Sequence, residues 1–139
     1  MRLYELEGNA RQQVHRGEIW VVEVPTGVGR ETTGMRWSLV ISNTKHATVS
    51  DAVNVVYLDG QVPTNRVSHL KITNADLESG ALTKVPSRVN LTDLYTVDMK
   101  RLKDCKGKVN SAFMQKVMTR IASQIGITLD SGSIIEDVD

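Results

Sequence analysis

RGEIWVVEVPTGVGRETTGMRWSLVISN, residues 16–43, decides the fold. It opens with a strand-length stretch, Glu18 to Val24, in which Ile19, Val21 and Val22 surround Trp20. β-Branched and aromatic residues at that density fit a half-buried strand. Pro25, Gly27, Gly29 and Gly34 then interrupt any regular structure. Trp37 to Ser42 (WSLVIS) is a continuous apolar run of strand length. The segment therefore reads as strand, Gly-rich loop, strand, with Arg30 on the loop and Arg36 at the mouth of the second strand.

Residues 1–15 have mixed charge and no clear period, and they read as a short helix or arm. Downstream, Asn43 to Asp51 is polar and rich in turn residues, with room for one helical turn. Ala52 to Leu58 is a third strand ended by Asp59-Gly60, and Val67 to Ile72 alternates as an edge strand does. Asn74 to Gly80 reads as a turn, followed by short strands near Ala81 to Val85 and Arg88 to Leu91. Leu94 to Met99 is a further strand, and DCKGK (104–108) a basic turn. From Ser111 the period becomes helical: Phe113, Val117, Ile121 and Ile125 recur every four residues, widened by Met114 and Met118. Asn110 is placed to cap that helix and Gly126 to end it.

Many short strands and one terminal helix specify a mainly β chain, a small, strongly bent antiparallel sheet or barrel. The expected division is an arm over residues 1–15, one barrel domain over 16–129, and an acidic, disordered tail over 130–139. At 139 residues the chain can bury a core of its own. Its single cysteine, Cys105, allows no internal disulfide, which suits a reducing compartment. No apolar run approaches the roughly 20 residues of a membrane helix, and MRLYELEGNA lacks the apolar segment of a signal peptide. A cytoplasmic protein with no membrane partner is expected.

Net charge is only +1, but it is unevenly spread. Lys84 to Arg120 holds nine Lys or Arg against three acids, an excess that attracts polyanions. A metal is not expected: His15, His46 and His69 are scattered, and Cys105 has no neighbouring ligand at a zinc spacing. Neither a phosphate-cradling GxxxxGK[ST] loop nor a dinucleotide fingerprint is present. Chemistry must come from side chains, without cofactors.

Three stretches carry a resemblance. RGEIWVVEVPT leading to GMRWSLVISN, then LYTVDMKRL (94–102), then the helix from Ser111, resemble in that order the MazF/PemK family of toxin endoribonucleases. The resemblance covers residues 16–127. It implies an SH3-like barrel of the CcdB/MazF/PemK kind that pairs into a homodimer. It also implies a toxin of a type II toxin–antitoxin system, neutralised by a cognate antitoxin protein. The activity implied is sequence-specific, metal-independent cleavage of single-stranded RNA, mRNA above all.

In such chemistry the substrate's 2′-hydroxyl attacks its own phosphate, leaving a 2′,3′-cyclic phosphate and a 5′-hydroxyl. The enzyme must remove a proton, neutralise charge on phosphorus and let the 5′-oxygen leave. Arg36 falls on the family's catalytic arginine, whose planar fork suits phosphate oxygens. Asp59 stands where the family usually has Thr or Ser. It acts there as general base, or it repels the phosphate and weakens the enzyme. Contacts to RNA are assigned to Arg30 and Glu31 on the loop, and to Trp37 (an indole in place of the family's proline, serving base stacking or else the core or a dimer contact). They are assigned also to His69, whose other reading is a structural strand residue, and to Asn90 and Thr92, on the strand where some relatives place a catalytic Arg and Asp that are absent here. Two rivals share the barrel: a CcdB-like poison of DNA gyrase, and a catalytically weak RNA-binding module.

Overall fold

The structure, a computed structural model, describes residues 13–24, 34–60, 68–127 and 137. Residues 1–12 of the expected arm, the loop bearing Arg30 and Glu31, and the acidic tail except Asp137 lie outside the described residues. Among the described residues there are eight strands and two α-helices. The strands are β1 (Glu18–Val24), β2 (Gly34–Val40), β3 (Ala52–Asp59), β4 (His69–Ile72), β5 (Leu77–Gly80), β6 (Ser87–Asn90), β7 (Tyr95–Asp98) and β8 (Leu102–Val109). Helix α1 (Thr44–Val49) joins β2 to β3, and α2 (Ser111–Gln124) follows β8. The sheet runs β4-β6-β3-β2-β1-β8-β5, with β7 added to β3, and its neighbours pair antiparallel. It is the mainly β, bent antiparallel architecture expected, curled into a half-barrel.

Both faces of the central strands are covered, which is why their sequences read as continuous apolar runs. Ile19, Leu39, Val56 and Leu58 join one core with Val89, Phe113, Val117 and Ile121, under α2. Trp20, Val22, Val40, Val53, Val55 and Tyr57 join the other, with Val97, Met99 and Leu102. Val14, assigned from sequence to the arm, is buried in that second core. Helix α2 starts as expected: the Asn110 side chain accepts a 2.8 Å hydrogen bond from Phe113 N. It stops at Gln124 before Gly126 at φ +89°, and Ile125 lies outside the buried stripe, 60% exposed.

Several boundaries differ from the sequence reading. β2 begins at Gly34, so Arg36 lies within the strand. DCKGK is no turn but the middle of β8. Residues 81–85 form no strand; Leu82 N donates instead to Asn74 Oδ1 at 2.8 Å. The Asn74–Gly80 stretch is one 3-10 turn followed by β5. There the chain crosses β8 so closely that a Cβ on Gly80 would meet Lys106 O at 2.0 Å, and its φ of +78° also calls for glycine.

The sheet forks between β2 and β3. The two strands pair from Val40↔Val55 to Ser38↔Tyr57, and the register stops there. Beyond that point β2 continues beside β1, through Trp37↔Val21, Arg36↔Val22 and Met35↔Glu23. β3 continues beside β6, through Leu58↔Val89 and Asp59↔Arg88.

Candidate active site

Where β2 and β3 part, a cleft of ≈ 520 Å³ opens. Met35, Arg36 and Trp37 form one lip, Leu58, Asp59 and Gly60 the other, and Leu82, Thr83, Lys84 and Ser87 close it. Strand alternation sorts these side chains. Arg36 lies on the face of Tyr57, with its guanidinium carbon 4.7 Å from the ring centroid. Tyr57 in turn stacks on Tyr95, centroids 4.5 Å apart. Trp37 is on the opposite face, packed against the α2-side core, with Lys106 Nζ 6.0 Å from its ring centroid.

The charges are unequal in their attachments. Asp59 Oδ1 accepts a 2.7 Å hydrogen bond from Arg88 Nε. Arg36 forms no ion pair among the described residues; its contact is the Tyr57 ring. A guanidinium held against an aromatic face by cation–π attraction still has N–H donors to offer a ligand. Lys84 adds a second cation, its stem lying across Gly60, where a Cβ would come within 2.6 Å of Lys84 Cδ. Among the described residues the cleft is thus lined by two cations and one carboxylate. Such a lining suits a phosphodiester and supplies one group able to take up a proton.

Of the residues singled out in the sequence, the structure brings Arg36, Trp37 and Asp59 together around this cleft. His69, Asn90 and Thr92 gather elsewhere, near α2. His69 and Asn90 are cross-strand partners, and His69 Nδ1 lies 2.9 Å from Ser68 Oγ. Asn90 Oδ1 accepts from Thr92 N at 2.9 Å, and Thr92 O accepts from Gln124 Nε2 at 3.0 Å. Arg120 Nη1 donates to His69 O at 3.3 Å. Arg30 and Glu31 lie outside the described residues. Sequence reasoning missed Tyr57, Lys84 and Arg88 as members or supports of the site. Arg88 and Lys84 were visible only as part of a basic segment.

Among the described residues no three His, Cys, Asp or Glu side chains converge as a metal site would require. No helix described is long and apolar enough to cross a membrane.

Comparison with known proteins gives concordant results. Residues 15–125 match the family model for PemK-like, MazF-like toxins of type II toxin–antitoxin systems. An endoribonuclease from mycobacterial species superposes with a TM-score of 0.68 at 19% identity, covering 88% of this chain and 100% of that one. A mycobacterial endoribonuclease in complex with its cognate antitoxin gives 0.66 at 20% identity, covering 84% and 99%. MazF from Deinococcus radiodurans gives 0.66 at 14% identity, also covering 84% and 99%. At these identities the structures speak for the fold. No curated protein sequence matches significantly.

Proposed function

The chain belongs to the PemK-like, MazF-like toxins of type II toxin–antitoxin systems, and we propose that it is a metal-independent endoribonuclease acting on single-stranded RNA. The observation that carries this reading is Arg36, set on the Tyr57 ring at the rim of the cleft, with Asp59 on the facing lip. Arg36 stabilises the negative charge that grows on the non-bridging phosphate oxygens as phosphorus becomes five-coordinate. Asp59 accepts the proton of the 2′-hydroxyl. The 2′-oxygen forms its bond to phosphorus, the bond to the 5′-oxygen breaks, and that oxygen takes up a proton from water while Asp59 returns its own to solvent. The products are a 2′,3′-cyclic phosphate and a 5′-hydroxyl.

Trp37 offers a face for base stacking beside the reacting phosphate. The assignments of Arg30, Glu31, His69, Asn90 and Thr92 to RNA contacts extend this reading beyond the cleft. A cognate antitoxin covering the same cleft, a homodimeric assembly and a cytoplasmic setting complete the proposal. Antitoxin complexes of similar folds support an antitoxin as partner.

The test is cleavage of a long mixed-sequence RNA in EDTA, with mapping of the termini, then the same cut site in an oligonucleotide carrying a 2′-deoxy nucleotide there. Cleavage of the ribo form alone, with cyclic-phosphate ends, is the expected result. Cleavage of the deoxy form overturns the mechanism, and cleavage of neither overturns the activity.

A further inference from the structure

Asp59 is held from behind. Asp59 and Arg88 are register partners on β3 and β6, so their side chains leave the sheet on one face. The pair is partly sheltered, with the Arg88 side chain 14% exposed and that of Asp59 24%. Asp59 borders the cleft, whereas Arg88 does not. Its Nε is committed to the carboxylate behind the cleft wall. The start of β6 is itself anchored, since Ser87 Oγ donates to Lys84 O at 2.6 Å. Among the described residues, the charged groups that line the opening with Asp59 are Arg36 on β2 and Lys84 before β6.

We infer that Arg88 is a positioning residue that acts through Asp59. Its charge-assisted hydrogen bond pins one carboxylate oxygen and sets the plane in which the carboxylate meets the 2′-hydroxyl. A base must stand within hydrogen-bond reach of the proton it takes, and a displacement of about 1 Å at a reacting group can cost about 100-fold in rate. Arg36 and Arg88 thus divide the work: one meets the phosphate, the other aims the base. The inference rests on the reading of Asp59 as that base.

A double-mutant cycle tests it, using the mapped ribo-oligonucleotide for rates and its 2′-deoxy form for affinity. Arg88→Met is expected to lower kcat by about 10- to 100-fold while affinity for the deoxy oligonucleotide stays within about twofold. Arg88→Lys, which keeps a donor and the charge, recovers part of the rate and serves as the readout if Arg88→Met fails to fold. In an Asp59→Asn background, Arg88→Met causes no further loss, as expected of a residue that works only through its partner. A weakened affinity with a shallower salt dependence would instead put Arg88 on a phosphate and overturn the proposal. Additive losses, or an unchanged rate in Arg88→Met, overturn it too. Wild-type cleavage by Asp59→Asn overturns the base assignment itself, which separates the two failures.

Discussion

Two arginines mark the two ends of β2, and the fold treats them in opposite ways. At the Val40 end Arg16 is consumed by structure. Its backbone N donates to Thr44 Oγ1 at 2.9 Å and its Nε to Ile41 O at 3.1 Å. Burial pulls its guanidinium below the ordinary value, and Asp137 works in the other direction. Asp137 also accepts hydrogen bonds from Thr44 N and Thr44 Oγ1, so one tail carboxylate closes this end. At the Gly34 end Arg36 rests on an aromatic ring at the edge of an open cleft. The same side chain is tied to the protein at one end and, in the proposed reaction, meets the phosphate at the other.

That contrast can be broken by exchanging the expected phenotypes. Arg36→Ala should lower cleavage by about 100- to 1,000-fold, the usual cost of losing one donor to a developing oxyanion, with an unchanged melting temperature. A variant that still cleaves at near wild-type rate would remove Arg36 from the chemistry. Trp37→Ala should weaken affinity for the uncleavable oligonucleotide by about 10-fold, the low end of one lost base stack. Trp37→Phe should keep most of the binding. If both variants bind normally, the indole serves packing alone.

Arg16→Ala should do the converse of Arg36→Ala. Losing a charged donor to a carbonyl costs about 1–2 kcal/mol, seen as a fall in melting temperature of about 4–8 °C, while the rate per folded molecule holds. A selective loss of rate would mean that the two ends are coupled through β2. The smallest effect is expected of Asp137→Asn: about 1 kcal/mol or less in stability and no change in cleavage. Faster cleavage would show that the acidic tail restrains the enzyme from its distant anchor.

How far these features could be read from sequence depends on how each residue is used. Elements buried on both faces announced themselves, because the apolar runs of β1, β2 and β3 have no other explanation. The helical stripe of Phe113, Val117 and Ile121 was equally plain. β8 was not: Lys103, Asp104, Cys105 and Lys106 are all exposed, and register shifts against β1 erase the alternation that marks a strand. Ile125 continued the period of α2 but not its burial, since the helix had already ended. In the site, Arg36 and Asp59 were legible through their place in short motifs. Arg88 was hidden because its meaning lies in a cross-strand pair 29 residues apart in sequence, a distance that no local spacing reports.

Arg36 and Trp37 are adjacent in the chain yet project from opposite sides of one strand. In the proposed reading, a strand gripped by both wraps the β2 lip of the cleft and turns between the two contacts. A paired helix, whose stiffness persists over many tens of base pairs, cannot take that bend within a single step. Preference for an unpaired strand would then come from the shape of a fork, before any base is read.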